Sequence, residues 1–552
     1  MNPFVAGSLF VTTLLVTLAV VYRLLGDYLY LVVTGTRHSR IERMFYRVVG
    51  VDPEREQTWA HYARSVLALS AVSVLVLFGL LRLQGENGVL SNGLSALPAD
   101  LAFNVAASFV ANANWQSYAG ESTMGHLIQM LGLGVQHFIS PAVAIAVAVV
   151  LMRGFARHRT DLLGNFWVDL TRIIGRVLLP VAVVVAIVMV FAGVVQNFSA
   201  GTAVTTLAGT PQLITGGPVA SWESIKLFGT NGGGFYNANS AHPFENPAGW
   251  THWLQLVLLL SIPASLIRVF GRMVGQNRQG YAILAVFAIL LFISAVLTNS
   301  FELSPQGTVP EAVGASTEGK ETRYGIWQSA LFASLNTVGY GGVTISSHDS
   351  YTALGGGVLL MNILVGGLGI GAVGTGIYAY VVFAITTAKL ASLMVGRTPE
   401  FLEKKIGARE IKLVVLYTLT TPVLVLTGTA LAFTTGNHTT ALNAGAHGLT
   451  EVFYAVASAA TANGSAFAGI TVNTPWWNTV LGVVILLGRF VPIIVVLALA
   501  GSLARERHVA ASVGTIPTHR PQFIGMVATV TVLFSGLAFL PALALGPLAE
   551  GL

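Results

Sequence analysis

The sequence of 552 residues contains no cysteine, which rules out a disulfide framework, thiolate metal ligation and thiol nucleophiles. Charge is scarce too: Asp, Glu, Lys and Arg make up 9% of the chain against 54% hydrophobic residues, and the mean hydropathy is +0.72. The stretches lacking a spanning pattern are a few tens of residues at most, too short for an independent soluble core. What remains is a series of apolar runs long enough to cross a hydrocarbon layer of roughly 30 Å, the composition of a polytopic membrane protein. The pI of 9.5 would suit nucleic-acid binding if the basic residues formed one patch, but they are sorted by loop instead, which is a topology signal.

Ten spans are expected, at residues 4–32, 61–83, 124–152, 165–197, 250–271, 279–301, 351–392, 411–434, 476–503 and 521–547. The first is too long for a signal-peptide core, and no small-residue cleavage signal follows it. Basic residues gather after every odd-numbered span: Arg37, Arg40, Arg43 and Arg47, then Arg153, Arg157 and Arg159, then Arg268, Arg272 and Arg278, then Arg397, Lys404, Lys405 and Arg409, then Arg505, Arg507 and Arg520. Those loops are cytoplasmic by the positive-inside rule, which puts both termini outside. Arg82, Lys226, Lys320 and Arg323 fall on the outer side.

The outward loops share a pattern that the inward loops lack. Each begins as a short amphipathic helix and breaks into small polar residues: LPADLAFNVAASFVANANWQS at 97–117, SWESIKLFGTNGGGF at 221–235, YGIWQSALFASLNTVGYGG at 324–342 and LTEVFYAVASAATANGSAFAG at 449–469. The breaks fall at Asn114, Gly232, Gly341 and Gly464, with separations of 118, 109 and 123 residues, so the chain reads as four repeats of span, re-entrant helix, polar turn and span. Non-helical backbone at membrane depth is tolerated only inside protein or beside water. Four such turns about one axis make a narrow ring of carbonyl oxygens. Such a ring replaces the hydration shell of an alkali cation without a fixed charge to trap it, and glycine lets the carbonyls crowd the axis. One Gly-rich outer loop reads as an ordinary turn; four, each after a helix, do not.

The four units resemble the potassium-transporter superfamily that includes the Trk, Ktr and HKT proteins. More narrowly, SFVANANWQSYAGE, TNGGGFYNANSAHPFENP, ASAATANGSAFAG and the closing PTHRPQF and FLPALALGPLAE are similar to the family of A subunits of the Kdp potassium-importing ATPase, over essentially the whole chain. The resemblance implies an all-α polytopic fold of ten transmembrane helices, with extra first and tenth spans around a fourfold pseudo-repeat. It implies a bacterial inner-membrane subunit that selects extracellular K+ in a filter and passes it, inside the membrane, to the P-type ATPase of the complex, KdpB, with the small membrane subunits KdpC and KdpF completing the assembly. ATP and Mg2+ then belong to the partner. Carried over by motif, the filter is Asn112, Ala113 and Asn114; Thr230, Asn231 and Gly232; Gly339, Tyr340 and Gly341; and Ala462, Asn463 and Gly464. The third repeat, NTVGYGGVTISSHD, departs most from the family's pattern. Gln116 follows the first turn, where its amide either orients filter carbonyls, sits at the outer mouth or is a solvated loop residue.

Two features lie within spans. GGLGIGAVGTG at 366–376 sets Gly366, Gly367, Gly369, Gly371, Gly374 and Gly376 in a segment longer than one crossing needs. So weak a helix should break, giving either a barrier loop below the filter, as the broken helix of the superfamily implies, or close packing through small residues. Arg489 in LLGRFVPII stands near mid-span, where a charge costs several kcal/mol without a partner or water. It either faces the pore under the filter, repelling cations, setting how tightly they are held and favouring a sideways exit, or forms a structural ion pair or hydrogen bonds to carbonyls inside the bundle.

GASTEGKE at 314–321 imitates the start of a P-loop, but Glu321 stands where Ser or Thr should bind Mg2+ and no strand precedes it. No aspartyl-phosphate motif of the DKTGT kind occurs. His242, His348 and His447 stand near the polar turns; with no ligand-like partner at helical spacing they read as loop or packing residues. The expected division is 1–60, first span and cytoplasmic loop; 61–160, 161–278, 279–409 and 410–508, the four pore repeats; and 509–552, the tenth span. A stand-alone Trk/Ktr-like channel or ion-coupled transporter is the alternative function. A polytopic enzyme or scaffold is disfavoured, because no span carries clustered Asp, Glu or His.

Overall fold

The computed structural model describes residues 3–85, 88–304, 315–365, 373–396, 399–509 and 516–551. Ten helices among them are long and apolar enough to span a membrane: Val5–Thr34, Trp59–Leu83, Ile128–Ala156, Phe166–Phe191, Gly249–Met273, Asn277–Glu302, Thr375–Met394, Ala408–Thr434, Pro475–Arg505 and Pro521–Gly551. Their order matches the apolar runs because each run is long enough to satisfy its own backbone as helix. The chain is a multi-pass membrane protein.

Burial sorts the spans into an inner and an outer set. The third and fifth spans have 89% of their most apolar window buried, whereas the first has 6%. The first span lies against the fifth, where Asp27 holds Arg268 (3.0 Å) and Arg272 (2.9 Å). The ninth span lies at the centre of the fourth repeat and touches the third span and the first pore helix. At the end of the third span Arg153 is not a loop cation. It is buried, and its guanidinium grips both oxygens of Asp169 at 2.6 and 2.8 Å, with Tyr62 donating to the same carboxylate at 3.0 Å.

The four loops after the even-numbered spans contain the expected short helices, Ala99–Val110, Val219–Phe228, Gly325–Val338 and Gly445–Thr461. The seventh span does break: Ala353–Leu364 and Thr375–Val395 are separate helices. Of the glycines between them, Gly366, Gly367, Gly369 and Gly371 lie outside the described residues. Gly374 precedes the second helix at φ +77°, where a Cβ would run into the Ala144 backbone, and Gly376 sits in its first turn. Two small antiparallel ribbons, Thr202–Thr205 with Pro211–Ile214 and Glu400–Phe401 with Lys404–Lys405, carry no apolar alternation that would announce them.

Candidate functional site

Each pore helix ends directly at a buried polar turn, so its partially negative carboxyl end faces that turn. Every second residue of these turns has positive φ: Asn112 and Asn114, Thr230 and Gly232, Tyr340 and Gly342, Ala462 and Gly464. In a regular strand successive carbonyls alternate sides; alternating the sign of φ keeps them on one side. A second regularity fixes the register. The middle N–H of each turn donates to the carbonyl five residues back: Ala113 to Ser108 (3.0 Å), Asn231 to Lys226 (3.0 Å), Gly341 to Asn336 (3.1 Å) and Asn463 to Ser458 (3.0 Å).

Both patterns place the third turn at Tyr340, Gly341 and Gly342, one residue beyond the expected Gly339 to Gly341. Gly339 is still helical, at φ −88° and ψ −4°, like Ala111 and Gly229 before the first and second turns. Gly339 caps the third pore helix, Gly325–Val338, and the turn begins at Tyr340. The triplets Asn112 to Asn114, Thr230 to Gly232 and Ala462 to Gly464 show both geometric patterns.

The four turns close into a ring whose third level is Asn114, Gly232, Gly342 and Gly464, with no room for a side chain at the three glycines. A Cβ on Gly232 would stand 2.9 Å from the Gly342 Cα, 3.1 Å from the Gly341 carbonyl oxygen and 3.2 Å from that of Ala113. A Cβ on Gly342 would overlap the Asn463 carbonyl oxygen, and one on Gly464 that of Ala113, so each turn touches the next and the fourth returns to the first. Amide side chains fasten the ring. Asn112 Oδ1 accepts from Asn231 Nδ2 (2.7 Å) and Ser140 Oγ (2.8 Å), and Asn463 Nδ2 donates to the Asn336 carbonyl (3.4 Å).

Gln116 is not a solvated loop residue. Its Oε1 accepts from Gly234 N–H (2.9 Å) and its Nε2 donates to the Gly234 carbonyl (3.2 Å), a two-point tie between the first and second repeats. Gln116→Ala leaves both Gly234 groups without that partner, at about 1–3 kcal/mol for an unsatisfied buried group. The expected outcome is a rise of about tenfold in half-saturating potassium with assembly retained, read from potassium titration of transport.

Below the ring a cavity of about 60 Å³ is lined by Tyr340, Ala462, Tyr378, Tyr417, Pro492 and Arg489, among others. Arg489 is buried, with Nη2 unpartnered, and among the described residues no carboxylate lies within ion-pair distance of it. Among the described residues, then, Arg489 forms no ion pair and lines the cavity.

Above the ring, His447 departs from expectation. It has a partner at helical spacing, Glu451 at 4.0 Å, and stands between Asp349 (2.9 Å) and Glu550 (2.9 Å), which ties the start of the fourth pore helix to the segment after the third filter turn and to the end of the tenth span. Asp349, His447 and Glu451 are the one grouping among the described residues with ligand atoms close enough to hold a metal ion. Hydrogen bonds to the two carboxylates raise the imidazole to about 10, and burial raises Glu451 to about 7. A raised folded-state value means the folded state binds the proton more tightly. The His447 contribution is then complete below about 6.5, the unfolded value, and lost as pH climbs through 10. Thermal midpoints should fall across that window, and His447→Gln should flatten the fall. His242 stacks on Tyr236 at 3.9 Å, and His348 bonds the Tyr454 hydroxyl at 3.0 Å, both as packing residues. Lys320 of the P-loop-like segment is bound to Glu302 at 2.7 Å.

A helical membrane protein with four re-entrant helices around a backbone ring has the architecture of a cation transporter. The fold is similar to the crystal structure of the potassium transporter TrkH from Vibrio parahaemolyticus, at TM-score 0.54 and 13% identity, covering 88% of this chain and 99% of that one. The family described as potassium-transporting ATPase A subunit, KdpA, matches residues 12–552, and the chain belongs to it. Relatives named potassium-transporting ATPase potassium-binding subunit include those of Mycolicibacterium vanbaalenii, 56% identical with full coverage of both chains, Frankia alni, 52% with full coverage, and Clavibacter michiganensis, 54% with 99% of each covered.

Proposed function

We propose that this chain is the potassium-binding and translocating subunit of an ATP-driven potassium importer in the bacterial inner membrane, with both termini outside. The observation that carries the reading is the closed ring of four buried turns, each at the carboxyl end of a pore helix, in a chain that belongs over nearly its whole length to the A-subunit family. Potassium enters from the outer face and exchanges water for the carbonyls of Asn112 to Asn114, Thr230 to Gly232, Tyr340 to Gly342 and Ala462 to Gly464. It then reaches the cavity above Arg489. The guanidinium charge opposes straight passage inward, so the ion leaves sideways to the P-type ATPase KdpB, with KdpC and KdpF completing the complex; the barrier role falls to the Gly-rich segment 366–376, most of which lies outside the described residues. ATP and Mg2+ act in that partner, because this chain has no phosphorylation motif of its own.

The test is copurification in mild detergent followed by potassium titration of ATPase activity. A bound ATPase stimulated by potassium is the expected result. Potassium flux through the isolated chain in vesicles without ATP would instead favour a stand-alone channel.

A further inference from the structure

The residues whose carbonyls receive the middle N–H of each filter turn are Ser108, Lys226, Asn336 and Ser458. Three of them do the same second job. Ser108 Oγ donates to the Trp115 carbonyl (2.9 Å), Asn336 Nδ2 to the Val343 carbonyl and Ser458 Oγ to the Ser465 carbonyl (2.7 Å), each seven residues ahead. A helix side chain thereby pins the backbone that leaves the ring.

The second repeat has a lysine at this place, and Gly233 is the matching carbonyl. Lys226 Nζ turns instead to Glu245 (2.9 Å), Glu223, Asn239 Oδ1 (3.1 Å) and Ser240 Oγ (3.4 Å), and all three charged side chains have no exposure at all. The other oxygen of Glu245 accepts from Tyr236 N–H at 2.8 Å. The path from pore helix to outgoing backbone is thus rebuilt as Lys226, Glu245 and Tyr236. It is needed here because Gly232, Gly233 and Gly234 have no side chains with which to anchor themselves, and glycine is the residue with most conformational freedom to lose. Gln116 holds this segment at Gly234, and the glutamate holds it at Tyr236.

We propose that Lys226, Glu245 and Glu223 form an ionic clamp that positions the second filter segment and so sets the affinity and selectivity of the ring. The three are positioning residues that do not touch the ion. The inference rests on the ring being the potassium site. A buried pair with one partner removed leaves an uncompensated charge, so the clamp has a defined geometry to lose.

The experiment uses the intact complex of this chain with its ATPase, titrated with potassium and rubidium. Lys226→Met should raise half-saturating potassium about tenfold, the equivalent of one charged hydrogen bond, with maximal rate within about twofold and a narrower gap between the two ions. Glu245→Gln should shift both titrations in the same direction by less. Lys226→Ser combined with Glu223→Gln and Glu245→Gln gives the second repeat the hydroxyl of the first and fourth, and should recover much of the affinity. Asp169→Asn breaks a buried pair on the cytoplasmic side and should lower the thermal midpoint without moving either titration. The clamp is overturned if Lys226→Met or Glu245→Gln assembles with wild-type half-saturation for both ions, or if they lower only the thermal midpoint, as Asp169→Asn does. Should Lys226→Met fail to assemble, Glu245→Gln and the triple variant decide. A wild-type complex without potassium dependence would remove the proposed function itself, whatever the clamp variants do.

Discussion

Gly232→Asp is expected to abolish potassium-stimulated ATPase activity at potassium concentrations that saturate the wild type, while Gly232→Ser shifts half-saturation upward by about tenfold or more and lets rubidium or sodium compete. Two physical terms add. Gly232 sits at φ +82°, where a side chain costs roughly 1–2 kcal/mol. Its Cβ would also press on the backbone of two other repeats, at the Gly342 Cα and the Gly341 and Ala113 carbonyls. The neighbours can yield only by opening the ring. A carboxylate at that level would further hold a cation by charge and pull the carbonyls out of place. Gly93→Ala is the matched control: φ there is +72°, but an added Cβ has nothing within 4 Å, so a small stability loss should come without any change in the ion titrations. The three variants titrated with potassium, rubidium and sodium decide the matter. A Gly232→Ser complex with three wild-type curves would take this residue out of the ion path.

Arg489→Ala is expected to assemble normally, with a thermal midpoint no lower than wild type, yet to hold potassium about tenfold more tightly and transport less of it per ATP hydrolysed. A charge in the middle of a span costs several kcal/mol unless water or a partner relieves it. Arg489 has no carboxylate partner among the described residues and lines the cavity beneath Tyr340 and Ala462. Removing an unpaired buried cation takes away a desolvation cost, so folding does not suffer; removing the same charge from the ion route lets potassium dwell there. Paired measurements of uptake and ATP turnover in vesicles, with Arg489→Lys as the variant that keeps the charge, separate this from packing. Unchanged half-saturation and unchanged coupling in Arg489→Ala would leave the arginine as filler.

Most of the membrane architecture was legible because its signals are local. An apolar run of some twenty residues closes its own hydrogen bonds as a helix wherever it lies, so the ten spans follow from hydropathy. The four pore helices followed from an amphipathic run ending in small polar residues. Even the break in the seventh span lay in its glycine content, although the glycines at its centre fall outside the described residues. The third triplet differs from its expected place by one residue for a related reason. Three glycines lie within four positions there, and composition does not say which of them is the last helical residue. Gly339 serves as the cap, its backbone still right-handed at φ −88°, and the positive φ begins at Tyr340.

The sequence by itself determined how many times the chain crosses, which loops are basic and where helix gives way to glycine and asparagine, since hydropathy and backbone permissiveness belong to each segment alone. Tertiary structure decided who meets whom. Gln116 bonds a glycine 118 residues away, His447 is shared by carboxylates from two other segments, Lys226 stands between two buried glutamates, and Arg489 opens onto the cavity under the ring. These placements depend on which distant segments pack together: the partners of Gln116, His447 and Lys226 come largely from other parts of the chain, and Arg489 faces a cavity that several helices enclose.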